Sequence, residues 1–494
     1  MFTYSAAVIV VHLSKIAPMK ILITGTTGYI GKRLIPFLLK EGHELVCCVR
    51  DIERAPFKKE KRVSFVEVDF LKYDPAITLP EGIDCAYYLM HSMSASNDFD
   101  TMELECAENF KKYMANTGVK QVIYLSGIVN EEVLSKHLGS RKQVEESLEA
   151  GNYALTTLRA GIIVGSGSAS FEIIRDLVEK LPVMVAPKWL NTRTQPISIR
   201  DVLSYLSKAA GDERLYNNNY DIYGPDILTY KQMLLLFAEV RGLKRTIITL
   251  PFMSPKMSSY WLYFVTSTSF RLAASLVDSM KIEVVARPND LGEMLQVFPV
   301  SYRDAVANAF AIINQDGITS SWKDAMVSSH FAGKLSKYAK VPKYGVLQDS
   351  KERDVKNEAT VLRRIWALGG SNGWYYGNTL WKARGLIDKL FGGTGLRRGR
   401  THPSNLQAGD ALDFWRVIAA DTDKKRLLLY AEMKMPGEAW LEFKIKDKKL
   451  YQHAVFRPKG LWGRLYWYSV LPFHYFIFNG LINSLVEDVE KPAV

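Results

Sequence analysis

Between residues 19 and 210 two hydrophobic patterns alternate. Short, β-branched apolar runs read as strands buried on both faces: "KILIT" (20–24), "ELVCCV" (44–49), "SFVEV" (64–68), "CAYYLM" (85–90), "QVIYLS" (121–126) and "ALTTLRAGIIV" (154–164). Between them, apolar residues recur at three- and four-residue spacing, as Leu34, Ile35, Leu38 and Leu39 do, and read as amphipathic helices. Alternation on this scale predicts an α/β fold with a doubly wound parallel sheet. "QPISIRDVLSYLSKAA" adds a strand and a helix. "YDIYGPDILTYKQMLLLFAEVRG" adds a strand, a turn at Gly224-Pro225 and a helix from near Thr229. Residues 230–318 read as mostly helical, a small substrate-side subdomain over the carboxyl edge of the sheet.

The pattern changes after 318. Residues 319–357 are polar, Lys-rich and weakly periodic, and read as a linker. Four aromatic-rich strands follow: "ALDFWRVIAAD", "KRLLLYAEMKM", "EAWLEFKIK" and "LYQHAVFRPK". A long apolar stretch comes last. Successive antiparallel strands and then one helix predict an α+β module over 358–494. Residues 465–486, "LYWYSVLPFHYFIFNGLINSLV", hold no Asp, Glu, Lys or Arg and are long enough to span a bilayer. Pro472, His474, Asn479, Gly480 and Asn483 interrupt them, and the aromatics are not confined to two end belts. A buried core helix is the first reading, and membrane contact the second.

The strongest chemical signal is "ILITGTTGYIGKRLIPFLL" (21–39). Gly25-x-x-Gly28-x-x-Gly31 lies between a strand and a helix, the setting that a dinucleotide site needs. Gly25 permits the tight turn, Gly28 lets backbone approach a diphosphate, and Gly31 lets the helix pack close. The N–H groups of Thr26, Thr27, Gly28, Tyr29 and Ile30, with the positive end of the helix, are expected to hold the phosphates. The second strand ends at Arg50 and Asp51, where such a fold meets the adenosine ribose. An acid there suits a free 2′-hydroxyl and an Arg a 2′-phosphate. With Arg50 first, the reading is NADP(H), and NAD(H) is the alternative. Asp69 and Phe70 end the third strand, placed for the adenine edge and face. Leu89, Met90 and His91 follow the fourth, as pocket wall near the cofactor.

The 494 residues imply two or three domains. The net charge of +12 and pI near 9.2 admit an anionic membrane or a phosphorylated ligand. No basic stripe interleaved with aromatics occurs in the first half, which argues against nucleic acid. Cys47, Cys48, Cys85 and Cys106 show no metal spacing and suit a reducing, cytoplasmic setting. No metal site, P-loop or nucleophile elbow is present. The cluster Arg397 to Arg400 reads as a solvated basic loop. Residues 1–18 read as an extension or leader ahead of Met19, without a secretory pattern.

With the three glycines, "YLSG" (124–127) and "LRAGIIVG" (158–165), residues 19–318 resemble the atypical and extended short-chain dehydrogenase/reductases, the NmrA-like NAD(P)-binding group in particular. Residues 358–494, with "GDALDFWRV" and "AEMKMPGEAWLEF", resemble a module of unknown function similar to the START/polyketide-cyclase helix-grip fold. The first resemblance implies a Rossmann-like fold, a Ser after the fifth strand, and a Tyr four residues before a Lys on the next helix. That i, i+4 spacing puts both groups on one helix face, about 6 Å apart. Ser126 stands at the Ser position. "SKHLGSRKQVEESLEA" places His137 where Tyr is implied and Arg141 where Lys is implied. Imidazole donates a proton near neutral pH, whereas guanidinium does not. Gly139 between them suggests a loop-to-helix boundary. The chain's Tyr430-x-x-x-Lys434 lies in a strand of the second module, where the two side chains would sit about 13 Å apart.

The expected function is an NADP(H)-dependent oxidoreductase acting on a hydrophobic small molecule. The alternatives are a non-catalytic NAD(P)(H) sensor, and a carrier of a lipid-like ligand at a membrane surface. Expected partners are a small hydrophobic ligand and, through the C-terminal stretch, peripheral contact with membrane.

Overall fold

The structure, a computed structural model, describes residues 17–487 except 53–54, 56, 58–59, 91–98, 130–135, 251–258, 260–261, 263–273, 275–276, 315–345, 391–392, 394, 396–405 and 407. Most of the 1–18 extension, His91, most of the expected linker and the 397–400 cluster lie outside the described residues.

The first half is a seven-stranded parallel sheet. β1 (Lys20–Ile23), β2 (Glu44–Val49), β3 (Val63–Glu67), β4 (Cys85–Tyr88), β5 (Gln121–Gly127), β6 (Ala154–Ala160) and the strand Asn218–Ile222 compose it. From one edge the order is Asn218–Ile222, β6, β5, β4, β1, β2, β3. The connections carry α1 (Tyr29–Lys40), α2 (Phe99–Met114) and α3 (Lys136–Glu149). The winding reverses between β1 and β4, so the crevice of the fold opens at their carboxyl ends. Both faces are covered, which is why the strands read as unbroken apolar runs. Cys47 joins the core beneath α1, and Cys48 joins the core beneath α2 and α3. All four cysteines are free thiols, and burial pushes the Cys47 thiol up to about 12.

The substrate-side layer is built differently from its pattern. Phe237 and Phe310 come from the helices Tyr230–Val240 and Tyr302–Asn314, within the expected subdomain. They stack at 5.3 to 5.4 Å with Phe171 of the helix Ala169–Lys180, which precedes it. The strand Val183–Pro187 likewise pairs in parallel with Thr246–Leu250. Residues before 230 therefore share that core. Periodicity reports the apolar face of a helix but not which later helix meets it.

The second half is an antiparallel sheet with helices, an α+β arrangement. Its order is Leu347–Asp354, Lys449–Pro458, Gly437–Lys446, Arg426–Ala431, Trp415–Asp421, Ala411–Leu412. The first strand falls in the stretch read as linker. It is an edge strand whose residues alternate between half-buried and exposed, so it shows no apolar run. Trp374, Trp381, Phe414 and Trp415 fill the core, and Trp374 Nε1 donates to Asp413 Oδ2 at 2.6 Å. A bidentate ion pair, Arg416 Nε and Nη2 to Glu432 at 3.0 and 3.1 Å, is wholly buried. The helix Gly460–Val486 departs from the buried-helix reading. Ile477, Phe478, Leu481, Ile482 and Leu485 enter the core, but most of the preceding two-thirds is exposed.

Candidate active site

The glycine turn is fixed by backbone packing at the switch between β1 and β4. Thr24 Oγ1 donates to Tyr87 O and accepts from Leu89 N–H, both at 3.0 Å, tying the end of β1 to that of β4. Gly25 then turns with φ +65°, and a Cβ there would lie 2.5 Å from Leu89 O. A Cβ on Gly31 would lie 2.4 Å from Gly25 O. These two close approaches bring the start of α1 against the turn. One expected phosphate donor is spent internally, because Gly28 N–H donates to Gly25 O at 2.9 Å. Thr26 serves as an anchor: it is buried and its Oγ1 donates to Cys48 O at 3.1 Å. Thr27 is half-buried at the same turn. No acid lies in the first turn of α1, although the Glu172 carboxylate lies near enough to act on Tyr29. Any side chain at Gly25 or Gly31 would collide with backbone of the turn or of Leu89, so only glycine at both positions leaves the main chain closed up at the start of α1, as a diphosphate cradle needs.

A cavity of about 420 Å³ opens from this turn. Gly25, Gly28, Tyr29, Ile30, Gly31, Leu89 and Met90 line one end. Ser126 and Arg141 lie along it, and Ile173, Leu177, Leu234 and Met280 line the far wall. Arg141 Nε is buried with no hydrogen-bond partner among the described residues, and buried Ser126 Oγ lies beside the Tyr124 hydroxyl. Polar atoms buried without partners at a cavity are sites where a ligand can complete the bonding. The helix α3 begins at Lys136, so His137 and Arg141 sit one turn apart on a continuous helix. The expected loop boundary at Gly139 is therefore corrected. Of the His137 side chain nothing is described. Ser140 Oγ donates to Glu103 Oε2 at 2.7 Å, locking α3 to α2.

The adenosine end divides the expected residues. Arg50 is exposed at the end of β2, while Asp51 beside it is buried and has a partner. Asp69 is exposed and its Oδ1 accepts from Leu71 N–H at 3.2 Å. The Phe70 ring is a correction. It is buried among Phe110 and Tyr113, at 5.9 and 5.6 Å, and offers no open face to a base. The third strand ends at Glu67, so Asp69 and Phe70 lie just beyond it, and the Phe70 side chain follows the apolar core.

The sequence placed Tyr29 in the glycine motif but did not show how its ring is held, and it gave no signal for Tyr230 or Thr194. Tyr29 is pinned by the Arg33 guanidinium, 4.2 Å above its ring, while Arg33 Nη2 donates to Ser166 O at 2.8 Å. Burial pushes the Tyr29 hydroxyl up to about 12, against the lowering influence of Arg33. Tyr230 and Thr194 also line the cavity, and burial pushes the Tyr230 hydroxyl up to about 12 as well. Both phenols stay protonated at neutral pH. Tyr29 sits inside the glycine motif, whereas Tyr230 belongs to no motif and reaches the cavity only through the fold.

Comparison with known proteins agrees with this geometry. Residues 25–167 match a family described as NAD(P)H-binding, so the first half carries a nicotinamide-dinucleotide-binding domain of Rossmann type. Residues 344–481 match a family described as a protein of unknown function, DUF2867. An isoflavone reductase homolog of Lupinus albus is 22% identical over 240 residues, 45% of this chain and 76% of that protein. The photosystem II assembly factor Ycf39 of Trieres chinensis is 22% identical over 247 residues, 49% of this chain and 75% of that protein. Among solved structures, a triphenylmethane reductase from Citrobacter sp. is 17% identical with a TM-score of 0.48, covering 59% of this chain and 99% of that one.

Proposed function

We propose that the chain is an NADP(H)-dependent oxidoreductase acting on a hydrophobic small molecule. The observation that carries this reading is one mostly apolar cavity that joins the glycine turn to Ile173, Leu177, Leu234 and Met280, with Ser126 and Arg141 in its lining. A bound nicotinamide dinucleotide would supply the hydride. The amides of the Gly25–Gly31 turn and the positive end of α1 hold its diphosphate. Arg50, exposed where the 2′-position falls, pairs with the extra phosphate, and buried Asp51 does not compete. Ser126 Oγ hydrogen-bonds the substrate oxygen, and His137, or a water, delivers the proton. The reductases among the similar proteins support the class.

The test is NADPH consumption with quinones, aldehydes and enones. Turnover with one of these, lowered about tenfold to a hundredfold by Ser126→Ala at unchanged NADPH affinity, is expected. One observation favours a second reading. With His137 and Arg141 where Tyr and Lys are implied, the domain could bind NADP(H) as a sensor without chemistry. Tight NADPH binding, no turnover across the panel and no effect of His137→Ala would select that reading.

A further inference from the structure

The helix Gly460–Val486 is apolar on both sides, yet one of its faces is exposed and unpartnered among the described residues. Leu461, Leu465, Tyr468, Pro472 and Phe476 follow at four-, three-, four- and four-residue steps, and all are exposed. Trp462 and Phe473 widen this stripe, with 78% and 57% of their surfaces in solvent. The opposite face is the packed one. Gly463 backs onto Pro436 and Pro458, Trp467 stacks on Phe456 at 5.7 Å, and Phe478 and Leu481 enter the core. A helix apolar on both its buried and its open face has a second apolar environment to meet.

The neighbouring helix Asn378–Leu390 extends the surface. Trp381 lies 6.3 Å from Phe478, and the Arg384 guanidinium sits 5.5 Å over the Tyr466 ring, so side chains of the two helices touch. Leu380, Ile387 and Leu390 are exposed on its outer side. The charges of the two helices are Lys382, Arg384, Lys389 and Arg464, against one acid, Asp388. That acid is buried and accepts from the N–H groups of Lys434 and Gly395. Lys459 adds an exposed cation at the start of the longer helix.

We propose that these two helices dock the protein on the surface of an anionic lipid bilayer, the stripe from Leu461 to Phe476 lying in the interface. Charge selects this occupant. A second copy docked through the same face would bring like cations together, whereas anionic headgroups neutralise them. Residue type agrees: Trp462, Tyr468 and Tyr475 are the aromatics that settle at headgroup depth. Packing excludes a span. Leu481, Ile482 and Leu485 are fully buried in the protein's own core. Gln452 Nε2 donates to Phe478 O at 3.1 Å, and Arg353 Nε donates to Asn483 Oδ1 at 2.7 Å. A helix held in that way lies on a membrane and does not cross it.

The experiment is flotation of the full chain with vesicles of phosphatidylcholine alone and with about a third phosphatidylglycerol. A Trp462→Glu/Phe476→Glu variant is compared; both side chains are exposed, and its fold is checked by NADPH binding and circular dichroism. Binding to the anionic vesicles, weakened by salt and reduced at least about tenfold in the variant, is expected. No flotation with either vesicle, or equal flotation of the variant, overturns the proposal. So does a dimer in sedimentation that the variant dissolves, which would make the stripe a self-association face. Release from vesicles only by detergent also overturns it, because that is the behaviour of a span.

Discussion

Gly31→Ala sets two local rules against each other. By helix propensity alone, alanine inside α1 stabilises by about 1 kcal/mol. The structure predicts the reverse. The new Cβ would lie 2.4 Å from Gly25 O, 2.9 Å from Gly25 C and 3.0 Å from Thr26 Cα. All three are backbone atoms, so no side chain can swing aside, and the turn must retreat from α1 by about 1 Å to restore ordinary contact. Overpacking of this kind costs about 1–3 kcal/mol, which offsets the propensity gain and leaves a net loss of up to about 2 kcal/mol. The larger effect is expected on binding, because the displaced turn carries the amides proposed to hold the diphosphate. Losing one or two charge-assisted hydrogen bonds, at about 1.5–3 kcal/mol each, weakens NADPH at least about tenfold. Calorimetric titration with NADPH and a thermal melt read the two effects separately. Gly139→Ala is the control. A Cβ there meets nothing within 4 Å, so it should stabilise α3 by about 1 kcal/mol and leave binding alone. A Gly31→Ala protein that melts higher and binds NADPH within about threefold of the parent would refute the close-approach argument.

Arg50→Glu should weaken NADPH about tenfold to a hundredfold and leave NADH nearly unchanged, read by parallel titrations; equal losses for both would remove Arg50 from the 2′-phosphate. Glu432→Ala leaves the fully buried Arg416 guanidinium without its carboxylate, and should cost about 3–5 kcal/mol in denaturant unfolding of the second module without changing NADPH affinity. His474 lies between Trp467 and Phe478, at 5.1 and 5.0 Å. Burial lowers its pKa to about 4, with Asp349 raising it and Arg384 and Lys351 lowering it. The unfolded chain, with an imidazole near 6.5, then binds more protons than the folded one between these values. Stability therefore falls as pH drops from 7 to 5, by about 2 kcal/mol from this group, and His474→Gln should remove that increment in pH-dependent melts.

The glycine motif was legible because its chemistry is local: strand, turn and helix are consecutive in the chain. The same holds for Ser126, one strand-end residue in a recognisable run. His137 and Arg141 were placed by alignment with the resembling family, and the structure added only that they share a helix. Asp51 and Phe70 were read as ligand-facing from position alone. Asp51 is buried, and Phe70 packs on Phe110 and Tyr113 of α2, neither of which local spacing reports. The edge strand Leu347–Asp354 was missed because half of its residues face solvent, and its partner, Lys449–Pro458, lies far ahead in the chain.

By itself the sequence determined the elements that short-range sterics and periodicity dictate: the alternating strands and helices, the turn that only glycine can make, and the apolar character of the last helix. The tertiary structure decided the rest. It chose which side of that helix is core and which is open, and which half-buried residues share the cavity wall. It also set whether Arg50 or Asp51 faces outward. These are contacts between segments distant in sequence, and their energies depend on packing that no window of the chain contains.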